Sequence, residues 1–264
     1  MNLTEFERHW LAGLFEGEAS FLRPAPSSPR CPVVRLQMCD RDVVERAARL
    51  IGRAAYEAAA RHPGHRPTFI TNIKGRPAVD LMLVLAPLLS EVRRTQVVRS
   101  LERLPTIVLP ASDWHPSPHW LAGLLEGEGT FMAKSRTSWI TISIEMCDRE
   151  SVVRAAAMLG AKSVTRGPDR SARGWRPTYR AKISGNRARP WLVELRPLMG
   201  SRRQAAVDAA LDSWSPLRLP RAPSACSVAG CVRPHRSRGL CHAHYMRWSR
   251  YRRSGRDPGF KSLR

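Results

Sequence analysis

The sequence predicts an α+β fold built from two pseudo-symmetric αββαββα repeats and a small C-terminal module. Three observations lead there. The run Trp10-Leu11-Ala12-Gly13-Leu14-Phe15-Glu16-Gly17-Glu18 recurs 110 positions later as Trp120-Leu121-Ala122-Gly123-Leu124-Leu125-Glu126-Gly127-Glu128. Behind each copy the same succession of helical and alternating patterns follows. The chain then ends in a basic segment that holds a cluster of Cys and His.

The recurrence is not confined to one block. Met38-Cys39-Asp40-Arg41 returns as Met146-Cys147-Asp148-Arg149, and Arg66-Pro67-Thr68-Phe69 as Arg176-Pro177-Thr178-Tyr179. Ile73 and Gly75 return as Ile183 and Gly185, and Pro87-Leu88 as Pro197-Leu198. Blocks in one order at offsets of 108 or 110 divide the chain into repeats at 1–108 and 109–216 and a module at 224–254. The Pro-rich stretch Pro105 to Pro118 joins the copies, and Leu219 to Pro223 forms a second linker.

Within the first copy, Glu5 to Glu18 reads as a helix. Ser20 to Arg23 and Val33 to Met38 alternate like strands around a Pro/Ser turn. Asp40 to Ile51 is helical, with Asp40 as N-cap and Val43, Val44, Ala47 and Leu50 on one face. Ala54 to Ala59 and Thr68 to Lys74 are strands. Arg76 to Ser90 and Val92 to Leu104 are helices around Pro87. The second copy repeats the order.

Charge narrows the partners. Lys and Arg number 44 against 22 Asp and Glu, a formal +22, which favours a polyanion. The 49 residues from Pro216 carry twelve of those cations and one acid, Asp257. The apolar run Ala78 to Leu89 is broken by Asp80 and Pro87 and is too short to span a bilayer. The start MNLTEFERHW has acids where a signal peptide has a basic region. With Met1 at the start and no His-Asn at the end, a free-standing gene and not an intein is expected. A cytoplasmic protein of a bacterial host, nucleoid-associated and making no membrane contact, is expected.

The repeated motif carries the chemistry. Gly13 and Gly17 share a helix face, as do Gly123 and Gly127, and a stripe without side chains lets two backbones approach closely. Two such helices would set Glu18 beside Glu128. Adjacent carboxylates repel unless a cation lies between them, so a divalent metal is expected there. With DNA phosphates also present, that metal would activate water for hydrolysis.

LAGLFEGEA and LAGLLEGEG resemble the motif of the LAGLIDADG homing endonucleases, with Glu in place of both Asp residues, over about Thr4 to Trp214. The resemblance implies that the motif helices form the interface between the halves and that two four-stranded sheets form a saddle over the DNA major groove. It implies that Glu18 and Glu128 bind catalytic Mg²⁺, that each half cuts one strand, and that Glu16 and Glu126 serve the interface. Peripheral polar residues of such sites fall at Asp40/Arg41 and Asp148/Arg149, where helix capping is an equal alternative. Arg93 and Arg203 are expected as phosphate-side catalytic partners, with Arg94 and Arg202 as alternatives in register. Ala19 replaces the usual Gly that Gly129 keeps. Gln37 opposite Glu145 makes the halves chemically unequal, which suits a non-palindromic target. Base and phosphate contacts are expected from Arg23, Arg35, Lys74, Lys134, Arg136, Arg180 and Lys182 on the strands.

In the tail, Cys226-x4-Cys231-x9-Cys241-x2-His244 has the residue types and spacing of a Cys₃His zinc site, with His235 and His242 as fallback ligands. The stretch resembles small zinc modules appended to phage and bacterial endonucleases. Few apolar residues are present, so Zn²⁺ would supply most of the folding energy, and Arg247 and its neighbours would add phosphate contacts. The expected protein is a monomeric, Mg²⁺-dependent, site-specific double-strand DNA endonuclease of a phage or bacterial mobile element. The alternatives are a non-cleaving DNA-binding regulator and an intron RNA maturase on the same fold.

Overall fold

Thr4 starts the first helix. Its backbone N–H donates to the Glu7 carboxylate at 2.8 Å while its hydroxyl accepts from the Glu7 N–H at 3.3 Å. This reciprocal capping box sets the register of α1 (Glu5–Glu18). Residues His9 to Glu16 are buried around the whole circumference, as an interior helix requires. The computed structural model describes residues 2–59, 66–104, 106–134, 139–168, 174–214 and 225–253. The second linker, Leu219 to Pro223, and Arg136 lie outside them.

The first copy continues through β1 (Ala19–Leu22), β2 (Val33–Met38), α2 (Arg41–Leu50), β3 (Tyr56–Ala58), β4 (Thr68–Lys74), α3 (Arg76–Leu85) and α4 (Glu91–Leu101). Pro87 sits in a short 3-10 turn, Ala86–Leu88, and separates the last two helices. The second copy repeats this with α5 (Pro118–Glu128), β5 (Gly129–Lys134), β6 (Trp139–Met146), α6 (Arg149–Leu159), β7 (Val164–Arg166), β8 (Tyr179–Ser184), α7 (Ala188–Leu195) and α8 (Ser201–Asp212). Pro118 was expected in the linker; it instead takes the first helical position, where a missing N–H costs nothing.

Each copy has one four-stranded antiparallel sheet, in the orders β1-β2-β4-β3 and β5-β6-β8-β7. Alternation decides the faces. Val34, Leu36 and Met38 point into the core, so Arg35 and Gln37 point out. Ile140, Ile142, Ile144 and Met146 do the same in β6 and turn Ser143 and Glu145 outward. The core runs through both copies and includes the fully buried Trp10 and Trp120.

Two contacts tie the copies in matching fashion. Asp42 of α2 accepts from the Ser201 N–H at the start of α8 at 2.6 Å, and Glu150 of α6 accepts from the Glu91 N–H at the start of α4 at 2.8 Å. Both place a carboxylate at a helix N-terminus, where the helix dipole favours it. The linker is held as well: the Asp113 N–H donates to the Pro87 carbonyl at 2.9 Å, and Arg94 donates to the Pro110 carbonyl at 2.8 Å.

The expected capping by Asp40 is corrected. Asp40 occupies the N-cap position of α2 without a side-chain cap, whereas Asp148 accepts from the Glu150 N–H at 3.0 Å. The Asp40 carboxylate is instead engaged elsewhere, as described below.

The described residues 225–253 belong to a separate compact unit. Its described part opens with a bridge between Ala225 and Pro234, turns at Gly230 and Gly239 with φ of 76° at each, and ends in α9 (His242–Arg253). Positive φ is the reason glycine stands at both turns.

Candidate catalytic and metal-binding sites

The two motif helices pack glycine to backbone. An ideal Cβ on Gly13 would overlap the Trp120 carbonyl, and one on Gly123 would overlap the Trp10 carbonyl. One turn further on, Gly17 lies under the Glu128 side chain, where a Cβ would stand 3.1 Å from Cγ. Gly127 lies under Glu18 in the same way, at 2.6 Å from Cγ. Glu18 and Glu128 therefore cross over each other's helices at the helix ends, each partly exposed.

Burial pushes both carboxyls above the usual carboxylate range. Desolvation raises Glu18 against the pull of Arg203. Desolvation and the nearby Glu18 charge raise Glu128 to about 7. Two adjacent, partly desolvated carboxylates are a donor set that suits a hard divalent cation.

Arg93 and Arg203 hold the helix ends from below. Arg203 donates to the carbonyls of Glu126, Gly127 and Gly129, with 2.9 Å from Nε to Glu126 and 2.9 Å from Nη2 to Gly127. Arg93 repeats this on Glu16, Gly17 and Ala19, with 2.8 Å from Nε to Glu16 and 3.0 Å from Nη1 to Ala19. A guanidinium satisfies several otherwise orphaned helix-end carbonyls at once, and its charge suits a helix C-terminus. The structure thus places both arginines on helix-end backbone directly behind the acidic pair.

Glu16 and Glu126 are buried beneath. Desolvation raises each to about 7. Glu16 accepts from the Ser90 N–H and hydroxyl and from the Ser151 hydroxyl, the last two at 2.9 and 3.0 Å. Glu126 accepts from the Gly200 N–H alone, and its Oε2 is buried with no partner among the described residues. The difference follows from two substitutions between the copies: Gly200 stands for Ser90 and Val43 for Ser151. A Cβ on Gly200 would stand 2.5 Å from Val43 Cγ2, so glycine is required once valine is there.

The halves differ again above the acids. Arg202 grips Asp40 with two parallel hydrogen bonds of 2.6 Å, and Asp40 is buried. Val92 stands at the matching position of the first copy, and Asp148 instead lies 3.1 Å from the Ser151 hydroxyl, whose one proton it shares with Glu16. A groove lined by Glu18, Asp40, Arg202, Ser20, Arg35 and Arg66 runs from the acidic pair along the outer face of the first sheet.

The candidate DNA-contacting residues divide. Arg35 lies on that outer face, and Lys74 ends β4 exposed. Arg180 and Lys182 lie outward on β8, where Arg180 is paired with Glu145 and Glu145 accepts from Thr178 at 2.9 Å. Lys134 ends β5. Arg23 falls beyond β1 and approaches Glu102 at 3.4 Å, away from the strand position expected for it.

In the C-terminal unit, Cys226, Cys231, Cys241 and His244 offer ligand atoms that all lie within 4.8 Å of one another. His244 Nδ1 is 3.2 Å from Cys226 Sγ and 3.4 Å from Cys241 Sγ, and the Cys231 and Cys241 sulfurs are 3.9 Å apart. Four ligand atoms spaced like the corners of a tetrahedron, three of them thiols, can hold a zinc ion. His235 and His242 are not in the cluster. Arg247 lies on α9.

No protein-family model matches the chain, and no curated protein matches it by sequence. Solved structures do. The LAGLIDADG homing endonuclease I-GzeII, in complex with its DNA target, matches with a TM-score of 0.51 at 11% identity, covering 78% of this chain and 89% of that one. The I-LtrWI LAGLIDADG homing endonuclease, bound to target DNA, matches with a TM-score of 0.50 at 12% identity, covering 79% and 89%. The chain has the saddle fold of the LAGLIDADG homing endonucleases. Among the described residues no helix is long and apolar enough to cross a membrane.

Proposed function

We propose that the protein is a site-specific, divalent-metal-dependent double-strand DNA endonuclease acting as a monomer. The observation that carries this is the crossing of Glu18 and Glu128 over Gly127 and Gly17, which brings one carboxylate from each copy to a single place. The fold supports it, since the two solved structures named above are DNA-bound homing endonucleases. The net charge of +22 supports a polyanionic partner.

Mg²⁺, the cation the resemblance implies, supplies Lewis acidity toward the phosphodiester when bound by Glu18 and Glu128. The rest is done by the chain. Arg93 and Arg203 act as positioning residues: they fix the carbonyls of the motif helix ends and so fix where the two carboxylates project. Arg35, Lys74 and Lys182 present charge on the outer sheet faces to the DNA backbone. Cys226, Cys231, Cys241 and His244 hold a structural Zn²⁺ that orders the basic tail.

The test is cleavage of a randomised-duplex library with Mg²⁺ or EDTA, using wild type and the Glu18→Gln/Glu128→Gln double variant. Discrete Mg²⁺-dependent double-strand cuts, lost in the double variant while duplex binding persists, are the expected result. Selective binding by the wild type without cuts would overturn the enzyme assignment.

A further inference from the structure

A second group of metal-ligating side chains lies at the opposite end of α1 from the acidic pair. Glu5 and His9 are one turn apart on that helix and share a face. His115, from the linker between the copies, closes the group: its ring meets that of His9 edge-on at 4.6 Å, and its Nε2 lies 3.6 Å from Glu5 Oε1. One ligand atom from each of the three lies within 4.8 Å of the others.

Two features separate this group from an ordinary surface cluster. His9 is 1% exposed, and neither of its ring nitrogens has a hydrogen-bond partner among the described residues. Buried polar nitrogens are normally satisfied, so this pair lacks something the protein alone does not supply. In addition, His115 Nδ1 lies 3.2 Å from the Asp113 carbonyl. With Nδ1–H donating there, the Nε2 lone pair is directed at Glu5, the arrangement by which a backbone carbonyl orients a metal-bound imidazole. An ion pair between Glu5 and His115 would leave His9 unpartnered.

We propose that Glu5, His9 and His115 bind a divalent transition-metal ion of the zinc class, distinct from the cation at Glu18/Glu128. Two imidazoles and one carboxylate suit zinc, whereas magnesium prefers an all-oxygen shell. Glu5 and His115 are exposed, which leaves a coordination position open to water. The ion would clasp the linker onto the first turns of α1. It would thereby fix how the chain passes from the first motif helix to the second.

The test uses the full chain with Cys226→Ser and Cys241→Ser, which silences the tail site. Zn²⁺ is added by equilibrium dialysis, and bound metal is counted by atomic emission in this parent and in versions that add His115→Ala or Glu5→Gln. Both positions are exposed, so the core is left intact, as equal melting in EDTA would verify. The expected result is one zinc per parent chain that disappears with either substitution, together with zinc-dependent protection of the linker from protease only in the parent. Equal zinc in the parent and in the His115→Ala chain would overturn the proposal, as would a parent that binds none. Zinc held at Glu18/Glu128 would persist in all three and cannot imitate the expected loss.

Discussion

Gly13 meets the carbonyl of Trp120 where a Cβ would stand, and a Cβ would also lie 2.9 Å from the Leu124 nitrogen. Both obstacles are backbone, so the helices must part to admit a methyl group. Gly13→Ala should cost about 3 kcal/mol or more, far above the roughly 1 kcal/mol that alanine gains in helix propensity. At Gly17 the obstacle is the flexible Glu128 side chain at 3.1 Å, so Gly17→Ala should cost less stability and yet displace a carboxylate that the proposed reaction needs. Denaturant unfolding and cleavage assays of the two variants separate these effects. Equal stability losses would show that the helices do not cross at Gly13.

The lone Glu126 oxygen has a consequence for pH. Desolvation raises its carboxyl from 4.5 to about 7 in the folded chain. A raised carboxyl binds more protons folded than unfolded between those values, so its contribution favours folding in acid and is lost as pH rises through that window. Relative to Glu126→Gln, the wild type should therefore lose about 1–3 kcal/mol of stability between pH 4.5 and 7 and stay level above it. Denaturant midpoints of both proteins across this range check the slope. A difference that does not change with pH would mean that Glu126 titrates as it does in water.

Much of this was legible beforehand, because the information lies in the repetition. The offset of 110 between Gly13 and Gly123 was enough to pair the motif helices, and strand parity was enough to turn Arg35 outward. What could not be read is the direction of long side chains. Arg93 and Arg203 are expected as phosphate partners, and the structure adds what the sequence does not show: helix-end carbonyls engage all three nitrogens of each guanidinium. Asp40 looked like a cap, but Arg202 from the other copy offers a stronger two-point contact. A signal for the unequal acid pockets was present: comparing Ser90 with Gly200 and Val43 with Ser151 at the repeat offsets exposes the difference.

The Asp40–Arg202 pair predicts unequal strand cleavage. Asp40 lies in the groove with Glu18, while Asp148 has no arginine at the matching place. Arg202→Ala leaves a buried carboxylate unpaired beside only one side of the acidic crossing, so one phosphodiester should be cut about ten-fold or more slowly than the other. Time courses on supercoiled plasmid bearing the target would then show a nicked intermediate that the wild type does not accumulate. Equal slowing of both strands would mean that the pair acts on the interface as a whole.

The C-terminal unit gives the last prediction. Among the described residues of this unit the buried apolar cluster is Leu240 with the ligands Cys226 and Cys241, and Val228, the ligand Cys231, Tyr245 and Trp248 pack against it. Such a core is too small to repay the ordering of the chain, so the proposed metal would contribute the difference. Isolated helices as short as α9 are marginal in water, so its helicity would depend on the same proposed ion. Removing zinc with a chelator, or replacing Cys241 by Ser, should therefore unfold α9 while leaving the unit at 1–215 folded. Helical circular dichroism should fall modestly and protease should cut in the tail, and in the Cys241→Ser chain, which leaves other metal sites loaded, the main unfolding transition should be unmoved. Affinity for duplex DNA should fall along with its salt dependence, because Arg247 and the neighbouring cations of α9 would no longer be held together. A tail that stays protease-resistant in chelator would show that its fold rests on packing and not on metal.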